Sequence, residues 1–129
     1  MKPQFTRNQM LVLDTLQGER KPLSAYAILD RLRQFGIRAP LQVYRALQHL
    51  TETGKVHRLE SLNAFVACRH LGCDRAHTLT FAICEKCGGV AEHADARLEA
   101  EIGRIAASSG FVARRTVVEI SGSCRACGA

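Results

Sequence analysis

The spacing of apolar residues over the first half of the chain predicts three helices. Each predicted helix carries apolar residues at intervals of three or four, which is the pattern of a helix with one buried face. These stripes are Met10, Leu13 and Leu16, then Ala25, Ile28, Leu29 and Leu32, then Val43, Ala46, Leu47 and Leu50. Thr6 and Gln9 have the spacing of a capping box for the first helix, and Ser24 can cap the second. A glycine after each stripe predicts where the helix ends: Gly18, Gly36 and Gly54.

Residues 55–68 predict a β-hairpin whose turn lies near Leu62 and Asn63. Apolar residues such as Val56 and Phe65 stand in its two arms. Three helices followed by a hairpin is the order of elements in a winged-helix domain, in which the second and third helices form a helix-turn-helix. We therefore expect a winged-helix DNA-binding domain at residues 1–70.

The second half of the chain predicts a small α/β domain at residues 77–129, after a polar hinge at residues 71–76. Its pattern predicts strand, strand, helix and strand over residues 78–84, 90–93, 95–108 and 112–120. The helix has an apolar stripe of Leu98, Ile102 and Ile105, and the last strand can pair across a two-fold axis at residues 116–120. Because so small a domain buries little surface alone, we expect a homodimer. The predicted fold class is α+β, with a winged-helix domain followed by an α/β dimerisation domain.

The formal net charge of +6 lies entirely in the first half of the chain. Residues 1–72 hold eleven Lys and Arg against five Asp and Glu, whereas residues 73–129 hold seven of each. A local basic excess suits a polyanion such as DNA, although a merely basic domain has the same charge.

No apolar run approaches the ~20 residues needed to cross a bilayer, and the first residues lack the apolar segment of a signal peptide. We therefore expect a cytoplasmic protein with no membrane partner. Because cytoplasmic thiols stay reduced, the six cysteines indicate metal ligands before disulfides.

Two CxxC motifs supply four thiols: Cys84, Cys87, Cys124 and Cys127. Each motif follows a predicted strand and precedes a glycine, which lets the chain reverse around a metal ion. Four thiolates suit tetrahedral zinc, so we expect a structural zinc site that staples the second domain. A thiol redox enzyme is one alternative, but its CxxC would open a helix in a βαβ context that is absent here. We therefore expect no enzyme and no small organic substrate. A zinc-stapled protein–protein adaptor is a further alternative, which the uneven charge disfavours.

A second group of candidate ligands is scattered along the sequence: His57, Cys68, His77 and Glu92. A hairpin centred between Leu62 and Asn63 would pair His57 directly with Cys68. An imidazole beside a thiol favours zinc over harder ions. The residues alone leave other interpretations open, because His57 can be a core histidine, Cys68 a buried hydrophobic residue and Glu92 a surface residue. Three further residues are competing ligands: His70, Cys73 and His93.

Three segments resemble the ferric uptake regulator family in order and spacing, and the resemblance covers nearly the whole chain. They are Val43-Tyr44-Arg45-Ala46-Leu47, Val56-His57-Arg58 and Ile83-Cys84-Glu85-Lys86-Cys87-Gly88. The resemblance implies that the double CxxC holds a structural zinc and that the second half is the dimerisation domain. Within the family the chain most resembles the zinc uptake regulator branch. In that branch four residues hold the sensory metal: a histidine in the wing, the cysteine that ends the wing, a histidine that opens the second domain and a glutamate after the first CxxC. These positions fall on His57, Cys68, His77 and Glu92, which implies two zinc ions per subunit, one structural and one regulatory.

The resemblance also implies a transcriptional repressor that binds double-stranded operator DNA as a dimer when loaded with zinc and represses zinc-uptake genes. An iron, manganese or peroxide sensor of the same family is the alternative. Iron sensors carry a dense histidine and aspartate cluster before the first CxxC, and most of it is missing from Arg75-Ala76-His77-Thr78-Leu79. Cys68 also argues against the nitrogen and oxygen ligands that iron and manganese prefer.

The third predicted helix would be the recognition helix, and it presents polar residues opposite its apolar stripe: Gln42, Tyr44, Arg45, Gln48 and His49. Arg45 is the candidate for reading a purine, because a guanidinium pairs with the O6 and N7 atoms of guanine. Tyr26 and Lys21 are candidates for contacts with the DNA backbone. Zinc binding would draw the wing and the second domain together and so set the spacing of two recognition helices at about one helical turn, ~34 Å.

Overall fold

The computed structural model describes residues 4–69, 78–114 and 116–128, which fall into two compact units, Met1–Arg69 and His70–Ala129. The hinge predicted at residues 71–76 lies outside the described residues. The candidate ligands His70, Cys73 and His77 lie outside them as well. In the described part of the chain, no helix is both long and apolar enough to span a membrane.

The first unit has three helices followed by a two-stranded hairpin, as the sequence predicts. Its elements are α1 (Arg7–Gln17), α2 (Ala25–Leu32), a 3-10 turn (Arg33–Phe35), α3 (Pro40–Glu52), β1 (Val56–Leu59) and β2 (Ala64–Ala67). The predicted caps are confirmed, because the Gln9 amide donates to Thr6 Oγ1 at 3.1 Å and the Ala27 amide donates to Ser24 Oγ at 3.1 Å. Gly36 takes the left-handed φ of 94° that ends the 3-10 turn.

The apolar stripes of the three helices meet in one core. Its fully buried side chains include Val12, Leu16, Ile28, Leu32, Val43, Leu47 and Leu50. The hairpin is joined to this core because Leu23 and Phe65 exchange backbone hydrogen bonds of 3.0 and 2.8 Å. Met10, which the spacing places in the first stripe, is exposed instead. Burial of the α3 stripe directs the opposite face of this helix outward.

The register of the hairpin differs from the prediction by two residues. His57 pairs with Val66, not with Cys68, so the predicted direct pairing of His57 with Cys68 is wrong. The turn comprises residues 60–63, and it ends at Asn63, whose φ is +47°. Asparagine tolerates this left-handed conformation, so β2 can begin at the next residue and the centre of the hairpin moves back by one position. The Cys68 amide then donates to the carbonyl oxygen of Lys55 at 2.9 Å.

The second unit is a three-stranded sheet with one helix. Its elements are β3 (Thr78–Cys84), β4 (Val90–His93), α4 (Ala96–Ser108) and β5 (Thr116–Gly122), with the strand order β4-β3-β5. Asp95 caps α4, since its Oδ1 accepts from the Arg97 amide at 2.8 Å. Within α4 no residue is buried. Among the described residues of this unit, the buried side chains come from β3: Thr78, Thr80, Phe81, Ile83 and Cys84.

The last strand begins at residue 116, later than the predicted residue 112. Gly110, at a φ of +74°, ends α4, and the Phe111 amide donates back to the carbonyl oxygen of Ala106 at 2.8 Å. β5 runs parallel to β3 and pairs Thr116 with Thr78. A parallel strand must start at the same edge as its partner, so residues 111–114 serve as the connection that returns the chain to that edge.

Candidate metal centre and nucleic-acid interface

The parallel pairing of β3 and β5 brings the two CxxC motifs to one edge of the sheet. Cys84 is the last residue of β3 and pairs with Gly122, the last residue of β5. The Glu85 amide extends this pairing by donating to the carbonyl oxygen of Gly122 at 2.8 Å. Cys124 follows two residues later. Because parallel strands end at the same edge, both motifs turn there, although they are forty residues apart in sequence.

The two CxxC turns have the same backbone conformation. The Gly88 amide donates to the Cys84 carbonyl oxygen at 2.9 Å, and the Gly128 amide donates to the Cys124 carbonyl oxygen at 3.0 Å. Both glycines take left-handed φ values, +76° and +74°. A side chain at either position would strain this conformation, so each turn requires its glycine.

The four sulfur atoms form a cluster, which we call the thiol clamp: Cys84, Cys87, Cys124 and Cys127. Their Sγ atoms all lie within 4.8 Å of one another, and Cys87 Sγ lies 3.8 Å from Cys124 Sγ. Tetrahedral zinc with Zn–S bonds of about 2.3 Å places its sulfurs ~3.8 Å apart. Amide groups also point at the sulfurs, since Cys124 N donates to Cys84 Sγ and Gly89 N donates to Cys87 Sγ, each at 3.3 Å. This donor set therefore fits a tetrahedral zinc ion.

Charge within the thiol clamp also favours a cation. Backbone hydrogen bonds from Cys87 and Cys124 lower the pKa of Cys84 to about 6, so its thiolate forms readily. Side-chain hydrogen bonds with Cys124 and Cys84 raise the pKa of Cys127 to about 12, and burial adds to this shift. Four sulfurs this close cannot all carry negative charge without a positive charge among them. A divalent cation supplies that charge and permits all four to bind as thiolates.

The candidate regulatory ligands of the first unit lie on the hairpin. His57 and Cys68 are diagonal neighbours, because Cys68 is two residues beyond Val66, the partner of His57. Their ligand atoms lie within 4.8 Å of each other. Burial lowers the pKa of His57 to about 4, so the imidazole is neutral at neutral pH, which is the form that binds metals. Contrary to the expectation of reduced thiols, Cys68 is held in a disulfide, whereas the thiol-clamp cysteines are free.

The candidate ligands of the second unit are partly described. Glu92 is half-buried on β4, where it pairs with Phe81 of β3. His93, the competing ligand, is exposed and pairs with Thr80. His77 lies outside the described residues, as do the competing ligands of the predicted hinge.

The outward face of α3 carries the predicted recognition residues. Four of them are exposed: Gln42, Tyr44, Arg45 and Gln48. Gln42 also caps its own helix, because its Oε1 accepts from the Arg38 and Ala39 amides, each at 3.3 Å. This role was not predicted from the sequence, although a glutamine three residues after the N-cap position has the spacing of a capping box. Leu41, which was not among the predicted recognition residues, is also exposed on this helix.

The other two predicted DNA contacts, Tyr26 and Lys21, are exposed as well. Tyr26 is exposed on α2, and Lys21 is exposed in the connection before it. Gln48 Nε2 donates to Glu52 Oε1 at 3.3 Å, one turn further along α3. His49 forms an edge-to-face ring contact with Phe5 at a centroid distance of 5.9 Å, so it packs against the start of the unit. A winged helix with a basic excess and a polar α3 face has the form of a nucleic-acid interface.

Residues 2–121 match the model of the "Ferric uptake regulator family". The chain belongs to the ferric uptake regulator family. The "Zinc uptake regulation protein" of Escherichia coli (strain K12) is 40% identical over 124 residues, which cover 95% of this chain and 72% of the relative.

Two solved structures are similar to this chain in fold. The crystal structure of "holo XcZur" has 35% sequence identity and a TM-score of 0.89, with 98% of this chain and 88% of that chain covered. A "Zinc Uptake Regulator Complexed With Zinc AND DNA" has 38% identity and a TM-score of 0.89, with 96% and 83% covered.

Proposed function

We propose that this member of the ferric uptake regulator family is a zinc-responsive transcriptional repressor. Loaded with zinc, it binds operator DNA as a homodimer and represses genes of zinc uptake. The observation that carries this proposal is the imidazole of His57 beside the sulfur of Cys68 on the hairpin, with ligand atoms within 4.8 Å. A nitrogen and sulfur pair selects zinc over iron(II) or manganese(II). The similarity to a zinc uptake regulation protein and to a zinc uptake regulator solved with zinc and DNA supports the same assignment.

The regulatory zinc would be held by four residues: His57, Cys68, His77 and Glu92. Two belong to the hairpin of the first unit and two to the second unit, so metal occupancy would bias how the units are oriented. Zinc can shift the protein toward the DNA-competent arrangement only if it binds that arrangement more tightly than the other. Bound DNA must then raise the affinity for zinc by the same factor by which zinc raises the affinity for DNA. Cys68 binds metal only as a thiolate, so the site requires its reduced form. With the thiol clamp, each subunit would hold two zinc ions.

The second unit would form the dimer. β5 is an edge strand, and its Ile120 is 57% exposed. Ile105 of α4 and Phe111 after it are 55% and 71% exposed. Exposed apolar residues and a strand at the edge of the described sheet fit a second copy of the chain. A two-fold dimer would present two α3 helices to successive major-groove segments about one helical turn apart.

The proposed division of DNA contacts follows from side-chain chemistry. Arg45 would read a guanine, and Tyr44 and Gln48 would contact neighbouring base edges or phosphates on the same side of α3. Lys21 and Tyr26 would contact the backbone and carry little sequence information. The carbonyl oxygen of Gln42 is engaged in the helix cap, which leaves its amide hydrogens for any contact with DNA.

Operator binding in buffered metal tests this proposal. Reduced protein with its thiol clamp loaded is titrated with zinc(II), iron(II) or manganese(II), and binding to an operator selected from random duplexes is followed by fluorescence anisotropy. Zinc should restore binding at the lowest free concentration. Cys68→Ser should abolish the zinc response but keep the fold, because the thiolate is the ligand most selective for zinc. His93→Gln, on the exposed neighbour of Glu92, is the matched control and should respond normally. Restoration by iron or manganese at lower concentration would contradict the proposal.

A further inference from the structure

Leu41 lies on the outward face of α3, near the N-terminal end of the helix. It is the second residue of this helix and is 56% exposed. Residues spaced by four and seven positions share one helix face, so Leu41 lies in line with Arg45 and Gln48. The buried residues of α3 face the other way: Val43, Ala46, Leu47 and Leu50. An apolar side chain therefore begins the row of side chains that contains the proposed base-reading arginine.

The structure of the first unit does not account for a leucine at this position. Pro40 provides the favourable first residue of the helix, and the Gln42 side chain provides the cap. Leu41 itself is absent from the core and from the partly buried residues that pack against it. Single exposed leucines are common on protein surfaces. This one is distinguished by its place at the N-terminal end of a recognition helix, which is the end that contacts base edges in helix-turn-helix proteins.

We propose that Leu41 is a specificity-determining residue that recognises the 5-methyl group of a thymine in the major groove. The inference rests on the proposed DNA-binding function. A leucine side chain has no hydrogen-bonding group, and the methyl of thymine is the apolar group that the four base pairs present in the major groove. Tyr44, three residues on, is also exposed and extends the apolar surface along the helix from Leu41.

The spacing along α3 predicts where this thymine lies. Residues one helical turn apart have side-chain roots ~5–6 Å apart. Successive base pairs are about 3.4 Å apart along the axis. Leu41 therefore contacts a thymine within about two base pairs of the guanine read by Arg45, in each half-site of the operator.

Selection from a random duplex library, followed by removal of single methyl groups, tests the inference. The zinc-loaded, reduced full chain is compared with Leu41→Ala and with the control Met10→Ala, which removes an exposed apolar side chain from α1. The wild-type protein and the control should select the same thymine near the Arg45 base, and Leu41→Ala should lose that preference. Replacing that thymine by deoxyuridine should weaken wild-type binding about fourfold, the effect of burying one methyl group. The same replacement should leave binding by Leu41→Ala unchanged.

Three results would overturn the inference while leaving the proposed function intact. In the first, wild-type protein binds in a zinc-dependent manner but selects no thymine within two base pairs of the Arg45 base. In the second, the deoxyuridine penalty is equal in wild type and Leu41→Ala. In the third, Leu41→Ala loses the same affinity for selected and random duplexes. Absence of zinc-dependent DNA binding by the wild-type protein would instead overturn the proposed function, and this inference with it.

Discussion

Arg69 donates a hydrogen bond from Nη2 to the backbone carbonyl oxygen of Glu19, at 2.7 Å. The same guanidinium donates to the carbonyl oxygens of Gln17 at 3.1 Å and Leu16 at 3.3 Å. These carbonyls lie at and just after the C-terminal end of α1, where helix carbonyls lack partners within the helix and a positive charge is favourable. These hydrogen bonds attach the segment that follows β2 to the C-terminal end of α1, about fifty residues earlier in the sequence.

We expect Arg69→Ala to lower the free energy of unfolding of the first unit by ~1 kcal/mol, because three carbonyl oxygens lose a charged donor that is partly exposed to water. Both tyrosines of the chain lie in this unit and the chain has no tryptophan, so tyrosine fluorescence during urea unfolding reports on this unit. Arg20→Ala, an exposed arginine of the same α1–α2 connection, should leave the midpoint unchanged. Equal effects of the two variants would contradict the role of the hydrogen bonds.

Removal of one sulfur from the thiol clamp should unfold the second unit. Cys124→Ser leaves three thiols, and structural zinc sites contribute ~10 kcal/mol or more to the folding of small domains. We expect this variant to lose one zinc per chain and to become monomeric or aggregated, as measured by metal content and sedimentation. Ser123→Ala, at the exposed neighbouring residue, should keep both zinc and dimer. A stable dimeric Cys124→Ser protein with unchanged zinc content would refute a structural zinc in the thiol clamp.

Zinc affinity of the thiol clamp should rise with pH. The raised pKa of Cys127, about 12, means that its thiol keeps its proton across the neutral range, and zinc must displace that proton to bind the thiolate. Each proton released makes the affinity about tenfold higher per pH unit, so we expect at least a tenfold increase between pH 7 and pH 8. Competition with a chelator at buffered free zinc measures it. The same affinity at both pH values would show that the thiols are already ionised without metal.

Truncation of Arg45 and truncation of Lys21 should change DNA binding in different ways. Arg45→Ala should cost ~1–3 kcal/mol on the selected operator and relax specificity at one base pair, because its contact is with a base. Lys21→Ala should weaken binding to operator and random DNA by the same factor. It should also reduce the slope of the logarithm of the binding constant against the logarithm of the salt concentration by about one. Anisotropy titrations on both duplexes across salt concentrations separate the two. An equal loss on both duplexes for Arg45→Ala would rule out base reading.

A charge on the exposed strand edge should disrupt the dimer. Ile120→Glu places a carboxylate on β5, where burial against a second copy would desolvate it, so we expect monomers at micromolar concentration by sedimentation. Ala91→Glu is the matched control, because Ala91 is exposed on β4 at the other edge of the sheet. The control should stay dimeric. If both variants remain dimeric, or both dissociate, the dimer does not form through the β5 edge.

Features that depend on near neighbours along the chain could be predicted from the amino-acid sequence alone. The Thr6–Gln9 and Ser24 caps and the helices that follow them were predictable, because a cap and a buried stripe involve residues within one or two turns. The thiol clamp was visible for the same reason, since each CxxC with its glycine forms its turn locally.

Tertiary structure decided the features that depend on how distant segments pair. The partner of His57 depends on the left-handed turn at Asn63. A shift of the strand pairing by two residues keeps every side chain on the same face of the hairpin, so the alternation of the sequence does not distinguish the two registers. The start of β5 depends on parallel pairing with β3, which apolar spacing does not encode. The exposure of Leu41 depends on which face of α3 the rest of the unit covers. Each of these is settled by contacts between residues far apart in sequence, whose energies no local pattern contains.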